Sequence, residues 1–246
     1  MVKCSFELVN NIIELDESIN DYSYYLDIFD DSKTFNHYKN ILNSRIVYLD
    51  NSAFERKHNG GSIDEQKFID FAKSIENDNL YVMIPDYFND SEKTLESAKL
   101  YGNFNHNIFI PHGKNYDDYM LNTEHIIELM DIKNDIIAIN FCDSVFDNHK
   151  RYKIIESLKN IENLRIHVLG LKHPNEVYEL KEIKDIIESI DTSLPVISTL
   201  INKDINEIIE SNIKPKETIY NLFYKDIKVD IDLLMNNVKE FKSILI

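Results

Sequence analysis

The sequence predicts an α/β fold, and within that class a single-domain (β/α)8 barrel of the TIM type, for three reasons. Short β-branched or aromatic runs recur along the 246 residues, and each is followed by a polar turn and a longer stretch with helical spacing. The runs are apolar on both faces, which is typical of parallel strands covered by helices. The chain has no glycine-rich phosphate loop, and this favours the barrel over a doubly wound nucleotide-binding sheet.

Eight candidate strands give the barrel its predicted order. They lie at residues 45–49, 80–84, 107–110, 136–141, 165–169, 189–190, 196–198 and 218–222, and the last three have the weakest signal. The first 44 residues are expected to form an N-terminal strand and helices that pack against the barrel; they include the aromatic residues Tyr22, Tyr24, Tyr25 and Phe29. No linker or repeat marks a second domain, so one domain is expected over residues 1–246.

Amphipathic spacing predicts the helices that connect these strands. They cover residues 63–76, 91–101, 116–130, 146–158, 175–187, 205–209 and 231–244. Ser62 or Asp64 is the expected N-cap of the first helix, and Gly102 is expected to end the second.

The composition limits the partners of the chain. Against 27 Lys and Arg stand 43 Asp and Glu, and the net charge of −16 argues against general capture of nucleic acid or anionic membranes. Two distant cysteines, Cys4 and Cys142, cannot form a disulfide framework, which suits a reducing compartment. The apolar runs are strand-sized and no signal peptide is visible, so a soluble, cytoplasmic protein is expected, with no membrane partner.

Three aspartates follow predicted strands, at the end of a parallel barrel where active sites are built. They are Asp50, Asp86 and Asp191. Aspartate is also an ordinary turn residue and helix N-cap, but Asp90 and Ser91 are better caps for the helix that follows Asp86. The chain has no HxH, HExxH or CxxC pattern, so no metal and no cofactor are expected.

Converging carboxylates of this kind are what glycosyl transfer with retention requires. One carboxylate attacks the anomeric carbon and a second moves the proton of the leaving or entering group. A third can accept hydrogen bonds from the ring N–H groups of a purine-like base, and Phe54 is suited to stack on that base.

Five segments carry a resemblance to a known family. They are Leu-Asp-Asn-Ser-Ala-Phe at 49–54, Pro-Asp at 85–86, Ile-Pro-His-Gly at 110–113, His-Val-Leu-Gly-Leu at 167–171 and Ser-Ile-Asp-Thr-Ser-Leu-Pro at 189–195. Their order resembles the tRNA-guanine transglycosylase superfamily, (β/α)8 barrels that exchange guanine in a nucleic acid for a 7-deazaguanine. The Asp-x-x-Leu-Pro spacing at Asp191 is the most specific part of the match.

The resemblance implies a role for each matched residue. Asp191 is implied to be the nucleophile, Asp50 the general acid/base, Asp86 the base-recognition residue and Phe54 the stacking aromatic. His112 stands where the family has a base-contacting glutamine. The other implied substrate contacts are Asn51, Gly113, Asn140 and Gly170.

The sequence departs from the family at informative places. Asn140 and Phe141 replace a Gly-Gly pair, and the C-terminal zinc motif of three cysteines and a histidine is absent, so no zinc-binding insertion is expected. Compact members of the superfamily, known from phages and bacterial DNA-modification clusters, act on DNA. The resemblance therefore implies a DNA-guanine transglycosylase that inserts a 7-deazaguanine such as the 7-cyano form, and that protects DNA from restriction.

A local basic rim would be needed to bind nucleic acid, and the target base would have to leave the stack. The candidate contacts are Arg56, Lys57, Lys150, Arg151 and Lys172, for which solvated surface charge is the alternative reading. Three other readings stay open: an enzyme acting on RNA, a non-catalytic barrel that serves as inhibitor or scaffold, and a homodimer. A sugar-phosphate or aldolase-type barrel would need a buried lysine or an anion nest at a strand end, and the sequence offers no persuasive one.

Overall fold

Eight parallel strands form one sheet in the cyclic order of a barrel, and helices lie between them, so the predicted single (β/α)8 fold is confirmed. The structure is a computed structural model that describes residues 1–28, 31–58, 61–141, 145, 151–223, 225 and 227–245. The strands are β1 Lys3–Ser5, β2 Ser23–Leu26, β3 Val47–Asp50, β4 Leu80–Met83, β5 Asn107–Phe109, β6 Ile136–Ile139, β7 Ile166–Val168 and β8 Ser189–Asp191.

The described chain has twelve α-helices, seven of them at the predicted stretches. They are α1 Asp16–Ile19, α2 Ser32–Ile41, α3 Ala53–His58, α4 Glu65–Ser74, α5 Ser91–Tyr101, α6 Tyr116–Leu129, α7 Arg151–Ser157, α8 Glu176–Lys181, α9 Leu194–Leu200, α10 Ile205–Ser211, α11 Ile219–Leu222 and α12 Ile231–Leu245. Asp64 caps α4 by accepting the Lys67 N–H, and Gly102 ends α5, as expected. None of these described helices is long and apolar enough to cross a membrane.

The N-terminal prediction is wrong, because the first 44 residues do not pack outside the barrel. They supply its strands β1 and β2, which pair with β8 and β3. Among the described residues β1 and β2 share no ladder of their own, and the seam is held by Asn20 and Asp21 instead. The Asp21 N–H donates to the Cys4 carbonyl at 2.8 Å, the Cys4 N–H donates to Asp21 Oδ2 at 2.8 Å, and the Phe6 N–H donates to Asn20 Oδ1 at 2.7 Å.

Two predicted strands are helical, and this corrects the numbering of the barrel. Residues 196–198 lie in α9, where Pro195 occupies the first turn and the β-branched residues after it are buried. Residues 219–222 form α11, and Thr218 is its N-cap, accepting the Asn221 N–H. Tertiary packing has overridden the β propensity of these short runs. Asp191 therefore ends the eighth strand, not the sixth.

Aromatic side chains fill the interior of the barrel. The ring of Tyr48 lies 4.2 Å from that of Tyr22, 5.3 Å from that of Tyr81 and 5.5 Å from the imidazole of His167, measured between centroids. All four side chains are buried. The interior of the barrel is thus a packed core, so a substrate can bind only where the strands end.

Candidate active site at the carboxyl ends of the strands

Asp50, Asp86 and Asp191 come together at one end of the barrel. Asp50 ends β3, Asp191 ends β8, and Asp86 follows β4, and in a parallel barrel these ends meet at the same face. The three side chains are nearly buried. The charge of Asp191 is one of the smaller causes that raise the pKa of Asp50, as expected for two carboxyl groups at the same end of the barrel.

The surroundings of Asp50 favour the protonated form of its carboxyl group. The Tyr24 hydroxyl donates to Oδ2, and the Ser52 N–H donates to Oδ1 at 2.5 Å across a tight turn in which Ser52 has φ 55°. Burial is the main reason that the pKa of Asp50 is raised well above 3.8, and the nearby charge of Glu55 raises it further. The two hydrogen bonds act in the opposite direction but do not reverse the shift.

Both carboxylate oxygens of Asp86 have polar side-chain partners. The Asn51 amide donates to Oδ1 at 2.9 Å, and Nε2 of His112 lies 2.6 Å from Oδ2. Asn51 is itself fixed, because its amide also donates to the Ile84 carbonyl and its Oδ1 accepts the Ala53 N–H. Asn51 thus joins the end of β3 to the loop after β4.

The implied base contacts His112, Gly113 and Asn140 are buried beside Asp86, and their role in binding a base stays a prediction. His112 is 0% exposed, and its ring nitrogen Nε2 lies 3.1 Å from the Asn140 amide nitrogen, while Asn140 Oδ1 accepts the Tyr119 hydroxyl. Gly113 has a packing task, since a Cβ there would lie 2.3 Å from the Tyr119 nitrogen. His112 thus links the Asp86 carboxylate to Asn140.

Asp191 has one occupied and one open oxygen. Nε2 of His167 lies 3.0 Å from Oδ1, and the Gly170 N–H donates to the same oxygen at 3.1 Å. Gly170 has φ 61°, a conformation that glycine adopts without strain. Within the described part of the chain, Oδ2 accepts no hydrogen bond, so the two oxygens of Asp191 differ in their surroundings.

Phe54 lies at the rim of this site with 53% of its surface exposed. Its ring centroid is 6.3 Å from that of Phe88, whose ring is 5.0 Å from the imidazole of His112. Lys57 Nζ lies 4.2 Å from the centroid of Phe88. The two phenylalanines form an aromatic edge beside Asp86, and Phe88 was not identified from the sequence.

The cationic candidates have unequal surroundings. Arg56 is paired with Asp27 at 2.5 Å, and Lys172 Nζ lies 4.1 Å from the centroid of Phe141. Lys150 lies outside the described residues, as do Phe29 and Cys142.

Arg151 is not a rim residue, and its assignment to nucleic acid is wrong. Its side chain is 3% exposed and donates to the carbonyls of Ile139, Leu169 and Gly170, while Nε pairs with Glu176 at 2.8 Å. The guanidinium therefore ties the ends of β6 and β7 to α8. Because Gly170 also holds Asp191, Arg151 fixes the loop that supports the open carboxylate.

Two further carboxyl groups follow strands at the same end of the barrel and were missed in the sequence. Burial raises the pKa of Glu55 to about 7, and the charges of Asp191 and Asp86 add to the shift. Burial also raises the pKa of Glu7 well above 4.5, and Asp191, Glu55 and Asp50 contribute. Glu7 follows β1, which was not recognised as a barrel strand. Glu55 directly follows the segment 49–54, which carries the family resemblance.

The donors at this mouth do not make a metal centre within the described residues. No group of three or more His, Cys, Asp or Glu side chains in that part of the chain is arranged to hold a metal ion. The arrangement offers a buried acid at Asp50, a carboxylate at Asp191 with one oxygen that accepts no hydrogen bond, and a fixed acceptor at Asp86. Those three functions are the ones that base exchange on a sugar needs.

Comparison with known proteins identifies no family. No protein-family model and no curated protein matches the chain. Among solved structures, the chain is similar to N-acetylneuraminate lyase from Mycoplasma synoviae, with 8% identity, a TM-score of 0.45, and coverage of 99% of this chain and 95% of that one. A similarity this low says nothing about the residues of the site or the reaction.

Proposed function

We propose that the chain is a transglycosylase that exchanges guanine in DNA for a 7-deazaguanine through an aspartyl-glycosyl intermediate. The observation that carries the proposal is the unequal state of two carboxyl groups at one mouth. Asp50 is buried, bonded to Tyr24 and shifted toward its protonated form, whereas Asp191 has Oδ1 held and Oδ2 open. Two carboxyl groups whose environments differ in this way can divide the acid and nucleophile roles.

The first half of the reaction uses both groups. Asp191 Oδ2 attacks C1′ of the target guanosine unit, the bond from C1′ to the base nitrogen breaks, and the bonding electrons leave with guanine. The Asp50 carboxyl gives its proton to the departing base, so guanine leaves as a neutral molecule. A glycosyl ester on Asp191 and an ionised Asp50 remain.

The second half reverses these steps with a different base. The entering 7-deazaguanine gives its ring N–H proton to Asp50, and the freed nitrogen attacks C1′. The ester bond to Asp191 then breaks and its electrons return to Oδ2. Both carboxyl groups end in their starting forms, and no cofactor is consumed.

Base recognition in this scheme rests on Asp86 and Phe54. Asn51 and His112 each occupy one side of the Asp86 carboxylate, and its remaining lone pairs can accept two N–H groups of a guanine-like edge. The exposed ring of Phe54 is placed to cover the base face. Because the chain is acidic, it would bind the nucleic acid through local contacts such as Lys57 and Lys172. The target base would be flipped out of the stack.

The test is incorporation of radiolabelled guanine into DNA and, in parallel, into tRNA. Asp191→Asn is the inactive control, and Asp232→Asn, at an exposed aspartate in the first turn of α12, is the matched control. If label enters DNA and not tRNA, the proposal is supported as stated. If label enters tRNA and not DNA, the chain is a transglycosylase that acts on RNA. Label in neither, with folded protein, overturns the enzyme assignment and leaves the scaffold reading.

A further inference from the structure

A serine, a histidine and an aspartate lie in line inside the mouth of the barrel. Ser189 Oγ is 3.0 Å from Nδ1 of His167, and Nε2 of the same ring is 3.0 Å from Oδ1 of Asp191. His167 and Ser189 are completely buried. The ring also lies edge-on to Tyr48 and to Tyr22, with interplanar angles of 84° and 83°.

The order of Ser189, His167 and Asp191 relative to the mouth is the reverse of that in a serine-nucleophile triad. In such a triad the serine faces the substrate and the carboxylate supports the histidine from behind. Here Ser189 lies two residues before Asp191 on β8, deeper in the barrel and without exposure, while Asp191 ends the strand at the mouth. The histidine therefore serves the carboxylate and does not activate the serine.

We infer that His167 is a positioning residue for Asp191, fixing its carboxylate so that Oδ2 faces the substrate, with Ser189 selecting the histidine tautomer that does this. The inference rests on the proposed nucleophilic role of Asp191. The Ser189 hydroxyl donates to Nδ1, which leaves the ring proton on Nε2 to donate to Oδ1. The Gly170 N–H is the second donor to Oδ1.

The same contacts persist through the reaction. When Oδ2 bonds to C1′, Oδ1 becomes the carbonyl oxygen of the ester and still accepts from His167 and Gly170. No proton passes through His167. Its contribution is the geometry of attack, and a misplacement of about 1 Å at a reacting group can cost about 100-fold in rate.

Kinetics of three variants separate positioning from packing. His167→Leu keeps the bulk but removes both ring nitrogens, and it should lower kcat by about 100-fold with KM for the base unchanged. His167→Gln keeps an N–H donor of similar reach and should recover most of that loss. His106→Leu is the matched control, because His106 also contacts a barrel tyrosine, Tyr81 at 4.4 Å between ring centroids, without contacting Asp191, and kcat should stay near the wild-type value.

Three outcomes would count against the inference: His167→Leu with wild-type kcat, His167→Gln no better than His167→Leu, or His106→Leu equally impaired. If His167→Leu has wild-type kcat and the wild-type protein exchanges guanine, the positioning role of His167 is wrong but the transglycosylase proposal stands. Inert wild-type protein would overturn that proposal separately.

A spectroscopic measurement tests the contact whether or not exchange is observed. In protein labelled with 15N histidine, His167, assigned from the spectrum of His167→Gln, should carry a proton on Nε2. That proton signal should shift in Asp191→Asn. A His167 ring that carries its proton on Nδ1, or one indifferent to Asp191→Asn, overturns the assignment.

Discussion

Nε2 of His112 lies 2.6 Å from Oδ2 of Asp86, and the imidazole has no exposed surface. The same design recurs at the other two aspartates, since a buried Tyr24 bonds to Asp50 and a buried His167 bonds to Asp191. Each of the three aspartates is thus held by one buried ring. Three supported carboxyl groups can keep different orientations and protonation states within one small space.

Loss of His112 should loosen Asp86 without removing it. His112→Ala leaves Oδ2 of Asp86 and the Asn140 amide without this partner, which should destabilise the fold by about 1–3 kcal/mol. KM for the base should rise more than kcat falls, because base recognition is the role proposed for Asp86. Urea unfolding and steady-state kinetics measure the two effects; an unchanged KM would contradict that role.

The rate of exchange should fall with rising pH on its alkaline side, because Asp50 must be protonated to release guanine and its pKa is raised well above 3.8. The hydrogen bond from Tyr24 lowers that pKa, so Tyr24→Phe should move the alkaline limb to higher pH. Tyr178→Phe, at an exposed tyrosine of α8, is the control. A limb that stays in place, or moves to lower pH, in a pH profile of kcat would argue against Asp50 as the acid.

Stability should depend on pH through Glu55. Its pKa is about 7 in the folded chain against 4.5 for an ordinary glutamate, so the folded state binds the proton more tightly than the unfolded state. The resulting stabilisation is complete below pH 4.5 and is lost as pH rises through about 7. Glu55→Gln should flatten this part of the curve of unfolding free energy against pH. Identical curves for the variant and the wild type would contradict the assignment.

Arg151 should matter to folding far more than a surface cation does. Arg151→Met removes donors from three carbonyls and leaves Glu176 without this partner, at an expected cost of about 3–5 kcal/mol in the free energy of unfolding. Lys153→Met, on an exposed position of the same helix, should cost less than about 0.5 kcal/mol. Equal urea midpoints for the two variants would show that the buried network is not stabilising.

The sequence was sufficient to predict the barrel and its three aspartates. Each aspartate follows a strand whose apolar run is visible without any structure, so Asp50, Asp86 and Asp191 could be assigned to one face. The supporting rings could not be found in this way, because Tyr24 and His167 sit inside strands and look like ordinary core residues. Their function depends on contacts across the barrel.

The errors have local physical causes. The strand Lys3–Ser5 is too short for periodicity to register, so Glu7 after it was overlooked. The apolar run at Val196 and Ile197 has strand propensity but is buried as helix after Pro195. A basic residue after a strand carries no sign of its burial, and for that reason Arg151 was assigned to the surface.

The most direct measurement of the central claim is detection of the covalent intermediate. Wild-type protein mixed with guanine-containing DNA and quenched by denaturation should carry a DNA adduct, and mass spectrometry of its peptides should place the bond on Asp191. The adduct should be absent from Asp191→Asn and should disappear when excess free guanine is added before the quench. Guanine exchange without an adduct on Asp191, or an adduct on another residue, would contradict the account.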